Sequence, residues 1–481
     1  MEMMRVEEIL EAAKGRLLKG DGQLAVPGIS IDSRTVKAGE MFLALKGERF
    51  DGHDFVEEAF QRGARGAIVS DDFRVLPLYP YGHRRAQADS GLQVIVRVPD
   101  TLKALQDIAG CYRNKFDIPL VVITGTNGKT TTKDMVAAIL GRQLAVLKAE
   151  GSFNNEVGVP LTLLRLSPSH QAAVLEVGMN APGEIAYLTQ LIKPQVGVIT
   201  NIGRAHLEFF QDIEEVARAK AELVETLGNE NTLVLNRDDQ RVWALSKRIK
   251  GRLISFGIEE EADFRAGQVE YLPDGKTKFI LSTLEGKGER LEVELPIPGH
   301  ANIYNALAAV AISATFDLDL NLIKEGLESF KPSSQRMEVI SLSLKRLSSK
   351  IKIINDTYNA NPESMKMALG LLSHLQVGGR KVAVLGDMLE LGEWGEEAHR
   401  EVGRLVTSCS PDILITVGSL SRVLAEEAKK EGLEGEIFTF RDSREAGKEL
   451  AEMIKEDDTI LVKGSRAMRM EEIIDVLLSL S

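Results

Sequence analysis

At 481 residues the chain is too long for a single hydrophobic core, and its length points to about three domains. Apolar content of 44% and charged content of 27% are those of a soluble globular protein, and a formal net charge of -12 (59 basic against 71 acidic residues) argues against nucleic acid or an anionic membrane as the main partner. Cys111 and Cys409 lie far apart with no metal-ligand spacing, which fits ordinary thiols in a reducing cytoplasm.

The first fifteen residues place Val6, Ile9, Leu10 and Ala13 at helical spacing with acids between them, which predicts an amphipathic helix and not a signal peptide. No apolar run approaches bilayer length, so no stable membrane insertion is expected. Short strands and turns follow in GISIDSRTVKAGEMFLALKG, then a helix in FVEEAFQRGA, a strand in GAIVS and a loop rich in Pro, Tyr and Arg from Leu76 to Arg85. Residues 1–100 are read as a small α/β amino-terminal domain. The helix TLKALQDIAGCYRNKF opens a second region, residues 101–331, in which apolar strands alternate with amphipathic helices. That alternation predicts right-handed βαβ units in a doubly wound sheet. The segment KPSSQR, residues 331–336, reads as a hinge. Beyond it IKIIND, KVAVLG, DILITVG, EIFTF and TILVKG are strands with helices between, so residues 332–481 predict a Rossmann-like domain. The expected fold class is α/β in three domains, the central one carrying TGTNGKT, Thr124 to Thr130, between a strand and a helix, which makes it a doubly wound P-loop ATPase domain.

The run PLVVITGTNGKTTTKDM, Pro119 to Met135, is the most informative stretch. Leu120 to Ile123 suit a strand buried on both faces of a parallel sheet. Gly125 and Gly128 allow a tight backbone path that turns several N–H groups toward one point, at the positive end of the next helix. Thr126 and Asn127 lie between them. Lys129 supplies a cation for the β- and γ-phosphates of a nucleoside triphosphate, and the hydroxyl of Thr130 or Thr131 suits a magnesium ion. Ile123 stands where the general phosphate-loop pattern has its first glycine, so this is the shorter form T-G-T-N-G-K-T.

Open α/β sheets bind ligands beyond the carboxyl ends of their strands, so polar residues that follow apolar runs are the next candidates. Glu176 ends the strand of AAVLEVGMNAPGEI, where a carboxylate is costly unless paired or metal-bound. Thr200, Asn201 and His206 follow VGVI, and a glutamate and a histidine near a phosphate loop suit magnesium held by few protein ligands. Lys220 lies in the predicted helix ARAKAELVETL, which by itself reads as a solvated lysine. Asn236, Asp239, Asn302 and Asn305 are amide and acid groups that could read a base or ribose, although such residues also serve as turns and caps. In the third region Asp356, Tyr358, Asn359 and Asn361, then Glu390 and His399, then Lys463, Ser465 and Arg466 follow three strands and form a second ligand-facing rim.

These residues resemble the ATP-dependent Mur ligases of bacterial cell-wall synthesis. The likeness runs over essentially the whole chain, through ISIDSRTVKAGEMFLALKGERFDGHDF, ITGTNGKTTTKDM, GSFNNEVGVPLTLL, LEVGMNAPGEI, NDTYNANPESM, VLGDMLELGE and LVKGSRAMRMEE. Within the family, YNANPES with GDMLELGE resembles the members that add D-alanyl-D-alanine to a UDP-N-acetylmuramoyl-tripeptide through an acyl phosphate. The resemblance implies that Gly125 to Thr131 hold the ATP phosphates, that Thr130, Glu176 and His206 serve magnesium, and that Lys220 is carbamylated into an anionic metal ligand. It also implies that Ser33, Arg34, Asn154 and Asn155 contact the UDP-sugar peptide and that Asn302 and Asn305 lie by the adenine and ribose. Arg336 and Asp356 would reach ATP from the third domain, and Tyr358, Asn359 and Asn361 would close over the site. The family's Gly-x-His-Asn segment reads Gly299-His300-Ala301-Asn302 here, so the histidine is displaced by one position. A cytoplasmic monomer is expected. Two alternatives remain at this point: a sister or folylpolyglutamate-type ligase adding a single amino acid, and a nucleotide-driven switch that needs only the loop.

Overall fold

The computed structural model describes residues 1–47, 49–73, 93–205, 207–284, 288–344, 347–375 and 377–480, so His206 and the loop expected from Leu76 to Arg85 fall outside the described residues. By compactness the chain divides into two units. One comprises Met1–Leu120, Ala145–Val177 and Tyr187–Lys193; the other comprises Val121–Leu144, Gly178–Ala186 and Pro194–Ser481. No helix among the described residues is long and apolar enough to cross a membrane.

In the first unit a five-stranded sheet runs in the order Arg16–Lys19, Val94–Val98, Gly66–Ser70, Met41–Leu43, Ile29–Ser30. The last four strands pair in parallel and Arg16–Lys19 adds an antiparallel edge. The helix Val56–Gln61 lays Val56 and Ala59 on Phe42, Ala67 and Val69, and burying a side chain the size of Phe42 contributes about 1.5–3 kcal/mol. The amino-terminal helix is confined to Val6–Ala12, because Met4 and Arg5 instead pair antiparallel with Val26 and Ala25.

In the second unit the strand that ends at Thr124 pairs in parallel with Val196–Ile199, that strand with Thr232–Asn236, and that with Arg252–Gly257. An antiparallel meander follows, Phe264–Tyr271, Thr277–Thr283 and Arg290–Leu295. Strand–helix alternation over residues 101–331 does not anticipate it. Its signal is the period-two burial of Thr277–Thr283 and the Pro273-Asp274-Gly275 turn, where Gly275 has φ +88°. The carboxy-terminal region is a six-stranded sheet in the order Glu338–Ser343, Lys350–Asp356, Thr459–Lys463, Lys381–Gly386, Ile413–Val417, Glu436–Phe440. Every pairing in it is parallel except the first. Apolar clusters fill both of its faces, which is why its strands are short unbroken apolar runs. The order switches direction around Thr459–Lys463, so the crevice expected for a ligand lies at the carboxyl ends of that strand and its neighbours.

Candidate active site

Leu120 to Ile123 are fully buried, and the chain turns at Gly125 into a helix, Lys129–Leu140, whose N-cap is Gly128. Both glycines are required. Gly125 has φ +147° and a Cβ there would lie 1.9 Å from Thr200 Oγ1; Gly128 has φ +86° and a Cβ would lie 2.1 Å from Asn305 Oδ1. The loop is braced by the chain that follows Ile199. Asn127 N donates to Asn201 Oδ1 at 2.9 Å, and Asn201 Nδ2 donates back to Asn127 O at 3.0 Å. Thr200 Oγ1 donates to Asn127 O at 2.7 Å, and Gly203 N donates to Thr126 Oγ1 at 2.8 Å. Lys129 Nζ folds back to donate to Gly125 O at 2.8 Å and Thr126 O at 3.2 Å, so its cation sits at the loop that the helix dipole makes positive. Thr130 and Thr131 are buried in the first helical turn. This donor set fits a polyphosphate.

Around the loop stand three further groups. Lys220, on the helix Ile213–Thr226, is 3% exposed and its ammonium has no hydrogen bond or ion pair among the described residues. Burial, reinforced by the charge of Lys129, pushes its pKa well below the usual lysine range. The helix therefore buries the side chain that its local sequence marks as solvated, and favours the neutral amine. Asn302 and Asn305, on the helix His300–Ala314, are buried and bonded in series: Asn305 Nδ2 donates to Asn302 Oδ1 at 3.0 Å and Asn302 Nδ2 to Pro298 O at 2.7 Å. Asn305 also meets Thr132 Oγ1 at 3.4 Å, so the pair abuts the phosphate-loop helix.

The carboxy-terminal region reaches the same loop. Asn361 caps the helix Pro362–His374, accepting from Ser364 N at 2.8 Å, and forms a reciprocal amide pair with Asn127 of the phosphate loop, at 2.9 and 3.3 Å. The Arg336 guanidinium stacks 3.9 Å from the Tyr358 ring centroid, which fixes the hinge residue against the strand end. Asp356 receives the buried ammonium of Lys463 at 2.6 Å, and the same ammonium donates to Asn359 O at 2.9 Å. In the first unit Arg34 grips Asp32 with two bonds at 2.8 and 2.9 Å, which holds the Asp32 carboxyl down at about 2. Ser33 Oγ donates to Glu58 Oε2 at 3.0 Å. Glu176 is fully buried and accepts from Asn154 Nδ2 at 2.9 Å, whereas Asn155 Oδ1 accepts from Gly158 N at 2.8 Å and shapes the turn before the helix Gly158–Leu163.

Some polar strand ends prove to be scaffold. Asn236 Nδ2 donates to Thr200 O and Asp239 Oδ2 accepts from Ile202 N at 2.8 Å, so both buttress the chain that braces the loop. His399 is fully buried. Its Nε2 accepts from Met388 N at 3.0 Å and its Nδ1–H donates to Gly395 O at 2.6 Å, which locks the GDMLELGE segment. Leu389 N donates to Ser465 Oγ at 2.9 Å in the same lock. The bracing role of Gly203 and the pairing of Lys463 with Asp356 were not visible in the sequence. Neither has a local signal, since each depends on a partner strand distant in the chain. For a hard divalent cation, the hydroxyls of Thr130 and Thr131 in the first helical turn are oxygen donors of the right kind. No group of three or more His, Cys, Asp or Glu among the described residues is placed to hold a metal, so such an ion would depend on phosphate oxygens and water for most of its shell.

Comparison with known proteins matches three family models in order: Mur ligase family, catalytic domain, at residues 25–113; Mur ligase middle domain at 123–313; and Mur ligase, glutamate ligase domain, at 335–466. The chain is 36% identical to the UDP-N-acetylmuramoyl-tripeptide--D-alanyl-D-alanine ligase of Bacillus subtilis over 98% of each sequence. Its fold is similar to the crystal structure of MurF from Acinetobacter baumannii, with a TM-score of 0.86 at 32% identity, covering 100% of this chain and 99% of that one. A MurF ligase from Thermotoga maritima in complex with ADP is similar at a TM-score of 0.77 and 29% identity, covering 94% and 97% of the two chains.

Proposed function

This chain belongs to the Mur ligase family, and from that premise we propose that it joins D-alanyl-D-alanine to a UDP-N-acetylmuramoyl-tripeptide at the expense of ATP, in peptidoglycan precursor synthesis. The observation that carries this reading is the reciprocal amide pair of Asn127 and Asn361. It joins the phosphate loop to YNANPES, a segment that resembles the dipeptide-adding members and not the sister ligases. The domains we propose are residues 1–100 for the UDP-sugar, 101–331 for ATP and 332–481 as the closing Rossmann-like domain. The enzyme would act as a cytoplasmic monomer.

In the proposed mechanism a carboxylate oxygen of the tripeptide attacks the γ-phosphorus of ATP, ADP departs and an acyl phosphate forms. The free amine of D-alanyl-D-alanine attacks the acyl carbon, loses a proton, and the tetrahedral adduct expels phosphate. Gly125 to Thr131 cradle the phosphates on backbone N–H groups, and Lys129 neutralises charge on the transferring phosphoryl group. Asn302 and Asn305 border the nucleotide, with Arg336 and Asp356 approaching from the hinge side. Ser33, Arg34, Asn154 and Asn155 hold the UDP-sugar peptide, and Tyr358, Asn359 and Asn361 complete the site on closure. Thr130, Glu176, His206 and Lys220 would hold magnesium, which when bound supplies charge neutralisation to the phosphates. The depressed pKa of Lys220 supports its proposed carbamate, because the neutral amine is the form that adds carbon dioxide.

The test is product analysis after incubation with ATP, magnesium and the UDP-tripeptide, with each candidate acceptor in turn. D-alanyl-D-alanine should yield the pentapeptide product and phosphate, while D-glutamate, L-aspartate and glutamyl-folate should not. Single amino acids joined as readily as the dipeptide would move the chain to a sister ligase.

A further inference from the structure

The loop that braces the phosphate site also makes an ionic contact with the carboxy-terminal region. Arg204 Nε donates to Glu363 Oε1 at 3.2 Å and its Nη2 to Glu401 at 2.8 Å. Glu363 is the second residue of the helix Pro362–His374, two positions after the Asn361 that pairs with Asn127, and Glu401 belongs to the next helix, Gly395–Cys409. Gly203 lets the approach happen, since a Cβ there would lie 3.1 Å from Glu363 Cγ. The other oxygen of Glu363 is buried with no partner among the described residues, so Arg204 supplies the hydrogen bond this carboxylate makes. Glu208 N adds a bond to Glu390 O at 3.2 Å from the same loop. The pairing holds the Glu401 carboxyl below the usual glutamate range and raises the already high Arg204 pKa.

We propose that Arg204 is a positioning residue: its two-carboxylate clamp holds the carboxy-terminal region on the phosphate loop while the acyl phosphate exists. This rests on the ligase reading above. The clamp would then set the coupling of the reaction. When it opens, water attacks the acyl carbon, phosphate leaves and the tripeptide carboxylate is regenerated with release of a proton, so ATP is consumed without an amide bond. Arg204 is 38% exposed and Glu363 and Glu401 31% and 37%, so salt should weaken the clamp in the wild-type enzyme.

The experiment measures phosphate released per amide bond formed, alongside kcat and KM, for wild type, Arg204→Met, Arg204→Lys and the pair Glu363→Gln with Glu401→Gln. Two part-exposed ion pairs of ordinary strength imply a fall in kcat of about three- to tenfold. The expected result is a phosphate-to-amide ratio near one in wild type that rises clearly in Arg204→Met, with KM for ATP unchanged and partial rescue by Arg204→Lys. The acid pair should reproduce the Arg204→Met ratio, and adding Arg204→Met to it should change little. Raising salt should lift the wild-type ratio and leave that of Arg204→Met flat. A wild-type ratio in a folded Arg204→Met enzyme would overturn the proposal. If that variant fails to fold, the Glu401→Gln enzyme decides by the same ratio. If the wild type itself forms no amide with both substrates present, the ligase reading fails and not the clamp alone.

Discussion

Replacing Gly128 by alanine separates the two physical demands on the phosphate loop. At φ +86° the left-handed backbone costs an L-residue about 1–2 kcal/mol. The new Cβ would also lie 2.1 Å from Asn305 Oδ1, so the Asn305 amide must rotate away. That rotation breaks the bonds to Thr132 Oγ1 and Asn302 Oδ1, each worth about 0.5–1.5 kcal/mol net. The expected loss of stability is therefore about 2–5 kcal/mol, with a clear drop in ATP affinity. Gly432→Ala is the internal control, because Gly432 has φ +87° and a methyl added there would meet nothing within 4 Å. It should show only the backbone part, about 1–2 kcal/mol. Denaturant unfolding of both variants, with calorimetric ATP binding, gives the comparison. Gly128→Ala/Asn305→Ala should recover part of the contact term and prove non-additive. If Gly128→Ala were no less stable than Gly432→Ala, with ATP affinity intact, the close approach of Asn305 would not constrain the loop.

Lys220→Ala should leave a folded but nearly inactive enzyme that short carboxylates partly restore, since the proposed carbamate supplies an anionic oxygen; assays with and without added acetate or formate check it, and full activity in the variant would exclude the role. His399→Leu should cost about 1–3 kcal/mol in unfolding experiments, because the buried Met388 N loses its partner, while Gly395 O keeps the backbone bond of its helix. Burial also depresses the His399 pKa, so below pH about 6.5 the unfolded chain takes up a proton that the native site refuses. Its contribution to stability is thus complete above that pH and lost as pH falls toward the depressed native value; His399→Gln should flatten this part of the curve, and an unchanged slope would count against it.

Much of the fold was legible because its strands are short apolar runs ended by glycine or polar clusters, and the phosphate loop reads directly from Gly125, Gly128 and Lys129. The meander at residues 264–295 was less visible, since period-two burial in a half-exposed sheet is a weaker signal than an unbroken apolar strand. Polar strand ends could not be sorted into ligand-facing and structural from composition. Asn361 and His399 both follow strands, yet one meets the phosphate loop and the other satisfies two backbone groups inside the fold. Arg204 left no trace at all, because a single arginine gains meaning only from Glu363 and Glu401, 159 and 197 residues away.

The proposed chemistry stands on one step, the conversion of a tripeptide carboxylate into an acyl phosphate before the dipeptide amine attacks it. Oxygen-18 follows that step: the UDP-tripeptide carries the label at both oxygens of its terminal carboxylate and is incubated with ATP, magnesium and D-alanyl-D-alanine. One labelled oxygen should appear in the inorganic phosphate for each amide bond formed, with the other retained in the new amide carbonyl. Amide formation with no label in the phosphate would contradict the acyl phosphate.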